Sequence, residues 1–192
     1  GITLKKFDIE VVTESEKIAE YVSEKYPVRT VIRPQHLADQ DGLVGTLLYV
    51  VDQVKNDYSS IAMTLCTSPL LKAETMVDVY KKFNFLHGCR SPIMTVSKVK
   101  LPVYGDIFKG EYIPYYGALY WFGEIGSDYK VPTAYKCNGG FWICPTKLFL
   151  EKQSQYIDGL IPYVIEGDEG LDVDTPQDFA LAKEKLNANC SC

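Results

Sequence analysis

The sequence lacks a long uninterrupted apolar run and lacks any lysine- or arginine-rich run. A membrane-spanning helix needs about 20 mainly apolar residues, and binding to nucleic acid or to an anionic membrane needs clustered positive charge. The first ten residues also have neither the apolar core nor the cleavage site of a signal peptide. We therefore expect a soluble, cytoplasmic protein with no nucleic-acid and no membrane partner.

The six cysteines show no C-x-x-C spacing. We interpret them as buried thiols of a reducing compartment rather than as a disulfide framework. The formal net charge of -5 means that an anionic substrate would need local help. A bound metal ion or a few well-placed basic groups could supply that help.

The chain contains 192 residues, 46% of them hydrophobic and 23% charged, which is typical of one globular domain over residues 1–192. Short β-rich runs alternate with helical patterns over its first two-thirds. This order predicts an α/β fold, namely a three-layer, doubly wound, mainly parallel sheet like that of the nucleotide-diphospho-sugar transferases. The predicted strands include residues 9–13, 29–32, 61–65, 93–103 and 163–165. Predicted helices follow the first three of these strands, and a last helix ends near residue 186.

The third strand, residues 61–65, is nearly all apolar, so we expect it to be buried on both faces. It leads into Thr67, Ser68 and Pro69. Ligands of open parallel sheets lie beyond the carboxyl ends of the strands, which makes this turn a candidate binding loop. An ordinary proline turn before a helix is the alternative.

Residues 104–123 contain eight aromatic side chains between glycines. Because aromatic area of this size usually marks an interface, we expect an arm at about residues 101–134 that protrudes from the domain and packs on a second subunit of a homodimer. A wall facing a sugar, or a cover for the domain's own core, are the alternatives.

Asp172 and Asp174 flank Val173 just before the last helix. Alternate residues of an extended segment point to the same side, so the two carboxylates can converge on a magnesium ion and leave room for water and phosphate oxygens. Alternatively, Asp174 simply favours the helix dipole. Thr175 and Asp178 complete an acidic variant of the capping box at this helix start.

Five blocks in order resemble the acylneuraminate cytidylyltransferases and their relatives that act on pseudaminic acid. The blocks are VVTESEKIAEYVSEKY, RPQHLADQD, LCTSPLLKAETM, YKCNGGFWIC and LDVDTPQDFALAKEKL, and the resemblance covers roughly residues 7–186. It implies a transferase that couples CTP to a sialic-acid-type nonulosonic acid, releases pyrophosphate and needs Mg²⁺.

The resemblance also implies roles for particular residues. Asp172 and Asp174 match the metal-binding pair, Asn138 matches the Asn of the sugar-site Asn-Gly motif, and Thr67 and Ser68 match the loop lining the same cleft. Lys136 stands where the family often has Arg before Asn-Gly, so it would meet the sugar carboxylate as a point charge. The family's Asp after Leu-Ala corresponds to Asp39 or to Asp41.

The family's glycine- and lysine-containing triphosphate loop has no counterpart among these 192 residues. We expect that an N-terminal segment carrying this loop and a central first strand is missing from the sequence, or that another chain or an altered topology takes its place. A non-catalytic relative that binds a sugar or dimerises is the alternative. A glycosyltransferase using Asp172 and Asp174 on a nucleotide sugar is a further one.

Overall fold

The computed structural model describes residues 7–39, 42–54, 58–86, 90–99 and 134–189. The predicted arm lies outside these residues except for Ala134, the first residue of a strand. The expected packing of the arm on a second subunit therefore stays a prediction. No helix in the described segments is long and apolar enough to cross a membrane.

The chain has the predicted α/β fold, with helices and strands alternating through β3. The strands are β1 (Glu10–Thr13), β2 (Arg29–Ile32), β3 (Ser60–Thr64), β4 (Ile93–Val99), β5 (Ala134–Pro145) and β6 (Ile161–Ile165). The helices are α1 (Glu16–Lys25), α2 (Gln35–Asp39), α3 (Gly42–Gln53), α4 (Ala73–Phe85), α5 (Thr146–Lys152) and α6 (Pro176–Asn189). A short 3₁₀ helix, Gly167–Gly170, precedes the acidic segment.

The first compact unit comprises residues 1–60 and 145–158. In it, β1 and β2 form a parallel pair, and α1 packs on both strands. The Ser15 hydroxyl caps α1 by accepting a hydrogen bond from the Ile18 amide at 3.4 Å. The buried apolar side chains of this unit are Ala19, Val31, Leu37, Leu47, Phe149 and Ile157.

The helical pattern of α1 is confirmed, but its apolar face is not the buried one. Ile18 and Tyr21 are 49% and 57% exposed, whereas Ala19 is buried. The small Ala19 side chain suits a helix that lies close on two strands, which explains why the burial follows it rather than the larger residues.

The second compact unit comprises residues 61–144 and 159–192. Its sheet has the order β3-β5-β4-β6, with β4 parallel to β6 and antiparallel to β5. Two of the three strand pairings with a defined register, β1–β2 and β4–β6, are therefore parallel, as expected for a mainly parallel fold. The buried apolar side chains are Val79, Phe83, Ile93, Met94, Val96, Phe141, Trp142, Ile143, Cys144, Ile165 and Ala182.

The expectation that the third strand is buried on both faces was wrong. Its residues are half-buried, and Thr64 is exposed. The reason is its position, because β3 is the outermost strand of the described sheet and has β5 as its neighbour there. An apolar run by itself did not distinguish an edge strand from a central one.

The cysteine prediction holds in part. Cys66, Cys137 and Cys144 form no disulfide, and Cys144 is buried in β5. Cys66 is exposed because it lies in the turn after β3 rather than inside a strand. The other three cysteines lie outside the described residues.

Candidate functional site

The strands β4 and β5 lose their regular register at the Asn-Gly-Gly sequence. One ladder pair joins Val96 to Cys137 and the next joins Met94 to Trp142, so one residue of β4 faces the four residues 138–141 of β5. This enlarged bulge turns the backbone locally, as bulges beside active sites commonly do. It places the predicted sugar-site motif in the middle of a buried strand rather than in a surface loop.

Hydrogen bonds from β4 hold the bulge. The Thr95 hydroxyl lies 2.8 Å from Asn138 Oδ1 and accepts a hydrogen bond from the Phe141 amide at 2.8 Å. Asn138 Oδ1 also accepts from the Gly140 amide at 3.1 Å, and Asn138 Nδ2 donates to Ser97 Oγ at 2.8 Å. Thr95 and Asn138 are 0% and 4% exposed. The bulge is therefore stabilised by its own buried polar network.

The predicted Thr-Ser-Pro loop packs against this bulge. The Ser68 amide donates to the Leu65 carbonyl at 3.1 Å, which closes a tight turn after β3. Ser68 is buried, and its hydroxyl lies 3.4 Å from the Asn138 carbonyl oxygen. The loop and the Asn-Gly turn are therefore neighbours, as the resemblance implies.

The acidic segment is joined to the same loop. The Val173 amide donates to the Thr67 carbonyl at 2.8 Å. A Cβ atom on Gly139 would lie 3.9 Å from Asp172 Oδ2, so the Asp172 carboxylate adjoins the Asn-Gly turn. Gly139 has a φ of +67°, a conformation that favours glycine, and its Cβ would also press on Leu65 at 3.1 Å.

Asp172 has an unsatisfied oxygen. Within the residues that the structure describes, its Oδ1 is buried and has no hydrogen-bond partner. A buried carboxylate oxygen without a donor is costly, and such an orphan calls for an unseen water, ion or ligand. Asp174, two residues further on, is exposed.

Glu169 ties the 3₁₀ helix to the loop before α4. Its Oε1 accepts from the Lys72 amide at 3.0 Å, and its Oε2 lies 3.8 Å from Lys72 Nζ. Gly170 follows, and a Cβ there would overlap the Ser97 hydroxyl. The residues around Asp172 are thus held in place: Glu169 by the loop before α4, Gly170 by its packing on Ser97 of β4, and Val173 by the Thr67 carbonyl.

The capping box at α6 is confirmed. The Asp178 amide donates to Thr175 Oγ1 at 3.2 Å, while Asp178 Oδ2 accepts from the Thr175 hydroxyl and amide at 2.7 and 2.8 Å. Asp178 Oδ2 also lies 3.3 Å from the Asp174 amide. The hydrogen bond from the Thr175 hydroxyl, with those from the two amides, lowers the pKa of Asp178. This cap fixes the backbone that carries Asp174.

The donor set fits magnesium. No group of three or more His, Cys, Asp or Glu side chains able to hold a metal is found among the described residues, so the candidate ligands there are the two carboxylates alone. Mg²⁺ is usually bound by one or two carboxylates together with water and substrate phosphates. The orphaned Asp172 Oδ1 and the exposed Asp174 carboxylate match that pattern.

The structure thus brings together Thr67, Ser68, Asn138 and Asp172. Lys136 is exposed and lies opposite Ser97 in the β4–β5 register. Asp39 ends α2 in the first unit, and Asp41 lies outside the described residues, so their predicted roles stay predictions.

Sequence reasoning missed four residues that build the site. Thr95, Ser97, Glu169 and Gly170 act through hydrogen bonds or close packing between segments far apart in the chain. Only the alternation of Thr95 and Ser97 along a predicted strand could have indicated that both hydroxyls face one side.

Two solved structures whose names refer to cytidine nucleotides share the fold of this chain. The chain is similar to a CMP:2-keto-3-deoxy-manno-octonic acid synthetase complexed with CTP, with a TM-score of 0.66, 9% identity, and 95% of this chain and 82% of that chain covered. It is also similar to a 4-diphosphocytidyl-2C-methyl-D-erythritol synthase from Anaerococcus prevotii, with a TM-score of 0.60, 13% identity, and 95% and 83% covered. The chain therefore has the same fold as these two structures.

A curated protein resembles the chain in sequence as well. The chain is 25% identical to CMP-N,N'-diacetyllegionaminic acid synthase of Legionella pneumophila, over 95% of this chain and 79% of the relative. The resemblance to the nonulosonic acid cytidylyltransferase family is thereby confirmed. No family model matches the chain.

Proposed function

We propose that the protein transfers CMP from CTP to a sialic-acid-type nonulosonic acid and releases pyrophosphate. The family resemblance supports CTP as the nucleotide donor. One structural observation carries the proposal: the Asp172 carboxylate, whose Oδ1 has no hydrogen-bond partner among the described residues, adjoins the Asn-Gly turn and is joined through Val173 to the Thr67 loop.

Asp172 and Asp174 are the residues that would hold Mg²⁺. Bound there, the ion would neutralise charge on the phosphates and on the leaving pyrophosphate. Asp172 is held by its neighbours Val173 and Gly170, so its carboxylate needs little rearrangement to accept a cation. The exposed Asp174 carboxylate can reach a ligand without first losing a protein partner.

The sugar side of the site would be built on the Asn138 turn and the loop at Thr67 and Ser68. Asn138 Nδ2 has two hydrogens, and it donates one of them to Ser97 Oγ. The second is suited to an acceptor oxygen of the sugar acid. The exposed ammonium of Lys136, two residues earlier in β5, provides a positive charge for its carboxylate.

The chemistry needs no covalent protein intermediate. The sugar's anomeric oxygen attacks the α-phosphorus in line, a new oxygen–phosphorus bond forms, and the bond to pyrophosphate breaks. Catalysis then consists of holding the two reactants in line and neutralising the growing charge. Side chains fixed by a buried network, such as Asn138, serve the first requirement, and the carboxylates serve the second through their cation.

Dimerisation through the aromatic arm and a cytoplasmic location belong to the same proposal. Both rest on the sequence, namely the eight aromatic residues at positions 104–123 and the absence of a long apolar run.

The test is pyrophosphate release by the complete gene product with CTP, Mg²⁺ and a panel of nonulosonic acids. We expect release that requires both Mg²⁺ and one sugar acid, and that falls on the order of a hundredfold or more in Asp172→Asn. Asp168→Asn is the matched control, because Asp168 pairs with Lys185 on the surface of the same segment. Sugar binding without any release would favour a non-catalytic relative, and release only from preformed nucleotide sugars would favour a glycosyltransferase.

A further inference from the structure

Two hydroxyls on β4, buried at Thr95 and half-buried at Ser97, face the Asn-Gly turn, and the family resemblance assigned neither of them a role. Thr95 and Ser97 are alternate residues of one strand, so their side chains lie on the same side of the sheet. Each contacts a different end of the Asn138 amide group, the oxygen for Thr95 and the nitrogen for Ser97.

These contacts fix which way the amide points. The Gly140 amide can only donate, so the Asn138 atom 3.1 Å from it must be the oxygen. The nitrogen then faces Ser97 Oγ, which can accept. The amide oxygen accepts two hydrogen bonds inside the bulge, and among the described residues the hydrogen-bonding capacity left at this side chain is one N–H donor.

Thr95 does more than bond to Asn138. Its hydroxyl accepts from the Phe141 amide and lies 3.2 Å from the Phe141 carbonyl oxygen, so it replaces the ladder partners that the four-residue bulge takes away. One side chain thereby closes the bulge and sets the orientation of its Asn. Buried polar networks of this kind rigidify a site when every member is satisfied.

We propose that Thr95, assisted by Ser97, is a positioning residue that presents the Asn138 N–H to an acceptor oxygen of the sugar acid. The inference rests on the proposed function, since it assigns the turn to the sugar rather than to CTP. It goes beyond that function by naming the residues that set the polarity of the sugar contact.

The experiment compares Thr95→Val, Thr95→Ser and Thr146→Val in the complete gene product. Thr95→Val keeps the shape and removes the hydroxyl, whereas Thr95→Ser keeps the hydroxyl and removes a methyl group. Thr146→Val is the matched control, because the Thr146 hydroxyl is buried and has no hydrogen-bond partner in the part of the chain that the structure describes.

We expect Thr95→Val to raise the KM for the sugar acid about tenfold, with the KM for CTP unchanged. Thr95→Ser should lose thermal stability through its missing methyl group and yet keep the wild-type KM. This separation of stability from KM is not expected of a merely structural residue. Thr146→Val should match the wild type in both constants.

A second readout needs no activity. Hydrogen exchange of the Phe141 and Gly140 amides, followed by NMR, should be about tenfold faster in Thr95→Val than in wild type and near wild type in Thr95→Ser. If the wild type activates no sugar acid, the proposed function fails while this measurement still decides the positioning of Asn138. Unchanged exchange and unchanged KM in Thr95→Val would overturn the inference.

If Thr95→Val does not fold, Ser97→Ala takes its place. A raised KM for the sugar acid in Ser97→Ala supports the inference, and an unchanged KM overturns it.

Discussion

The Asn-Gly turn and the acidic segment lie side by side in the second unit, but they satisfy their polar groups in opposite ways. At the turn, both ends of the Asn138 amide have protein partners within 3.1 Å. At the acidic segment, Asp172 Oδ1 is buried without a partner among the described residues, and Asp174 is exposed. The turn satisfies its amide oxygen from within and keeps one N–H donor, whereas Asp172 Oδ1 has no donor among the described residues.

This difference indicates a division of labour. A turn whose amide orientation is already fixed by hydrogen bonds can orient a hydroxyl-rich sugar acid without rearranging, because its geometry is set during folding. An unpaired carboxylate is unfavourable in the empty protein and becomes favourable only when a cation or donor arrives. The first region should therefore contribute mainly to stability and sugar orientation, and the second mainly to chemistry.

The largest expected effect is at Asp174. Because Asp174 is exposed and its backbone is held by Asp178, Asp174→Ala should keep the fold and its melting temperature. Loss of a carboxylate that holds the cation should lower pyrophosphate release on the order of a hundredfold or more. Asp158→Ala, which changes an exposed aspartate of the first unit, is the control. Full activity in Asp174→Ala would remove this residue from the proposed metal site.

Loss of stability should follow the reverse order, with a larger loss from a substitution in the Asn-Gly turn than from one in the acidic segment. Asn138→Ala leaves the buried Gly140 amide without its acceptor, so the free energy of unfolding should fall by about 1–3 kcal/mol. Asn138→Asp keeps an acceptor at that position, so its free energy of unfolding should fall less. Asp172→Asn removes a charge whose buried Oδ1 has no partner among the described residues, so the free energy of unfolding should stay unchanged or rise. Urea unfolding of the three variants measures the contrast, and a larger loss in Asp172→Asn than in Asn138→Ala would reverse it.

Local signals in the sequence were sufficient for most elements. Strand β2 has the predicted bounds, and the α6 start follows from Thr175 and Asp178, which form their hydrogen bonds within four residues. The aspartate pair was visible because its two members are adjacent to that start. Such features depend on neighbours in the chain, and this is the information that a single sequence carries most directly.

What could not be predicted depends on distant partners. The antiparallel placement of β5 beside β4, and with it the bulge opposite Thr95, joins residues that are 35 to 50 positions apart. The tether between Glu169 and the Lys72 amide spans 97 positions. The burial of Asp172 Oδ1 likewise depends on packing that no local pattern encodes. The sequence alone therefore indicated which residue types could form the site, while their hydrogen bonds required the fold.

The smallest expected effect concerns the cap that holds the acidic segment. Hydrogen bonds from the Thr175 hydroxyl and from the Thr175 and Asp174 amides lower the pKa of Asp178 in the folded protein. A lowered folded pKa means that this stabilisation is present above the pKa of an unfolded Asp, about 3.9, and is lost as the pH falls through the folded value. Asp178→Asn should therefore be less stable than wild type at neutral pH, and the difference should vanish on the acid side of that window. Thermal unfolding at a series of pH values measures this difference. Because Thr175→Ala removes the main donor, it should move the Asp178 titration back towards its ordinary range in carboxyl NMR, and an unmoved titration would show that the cap does not hold the segment.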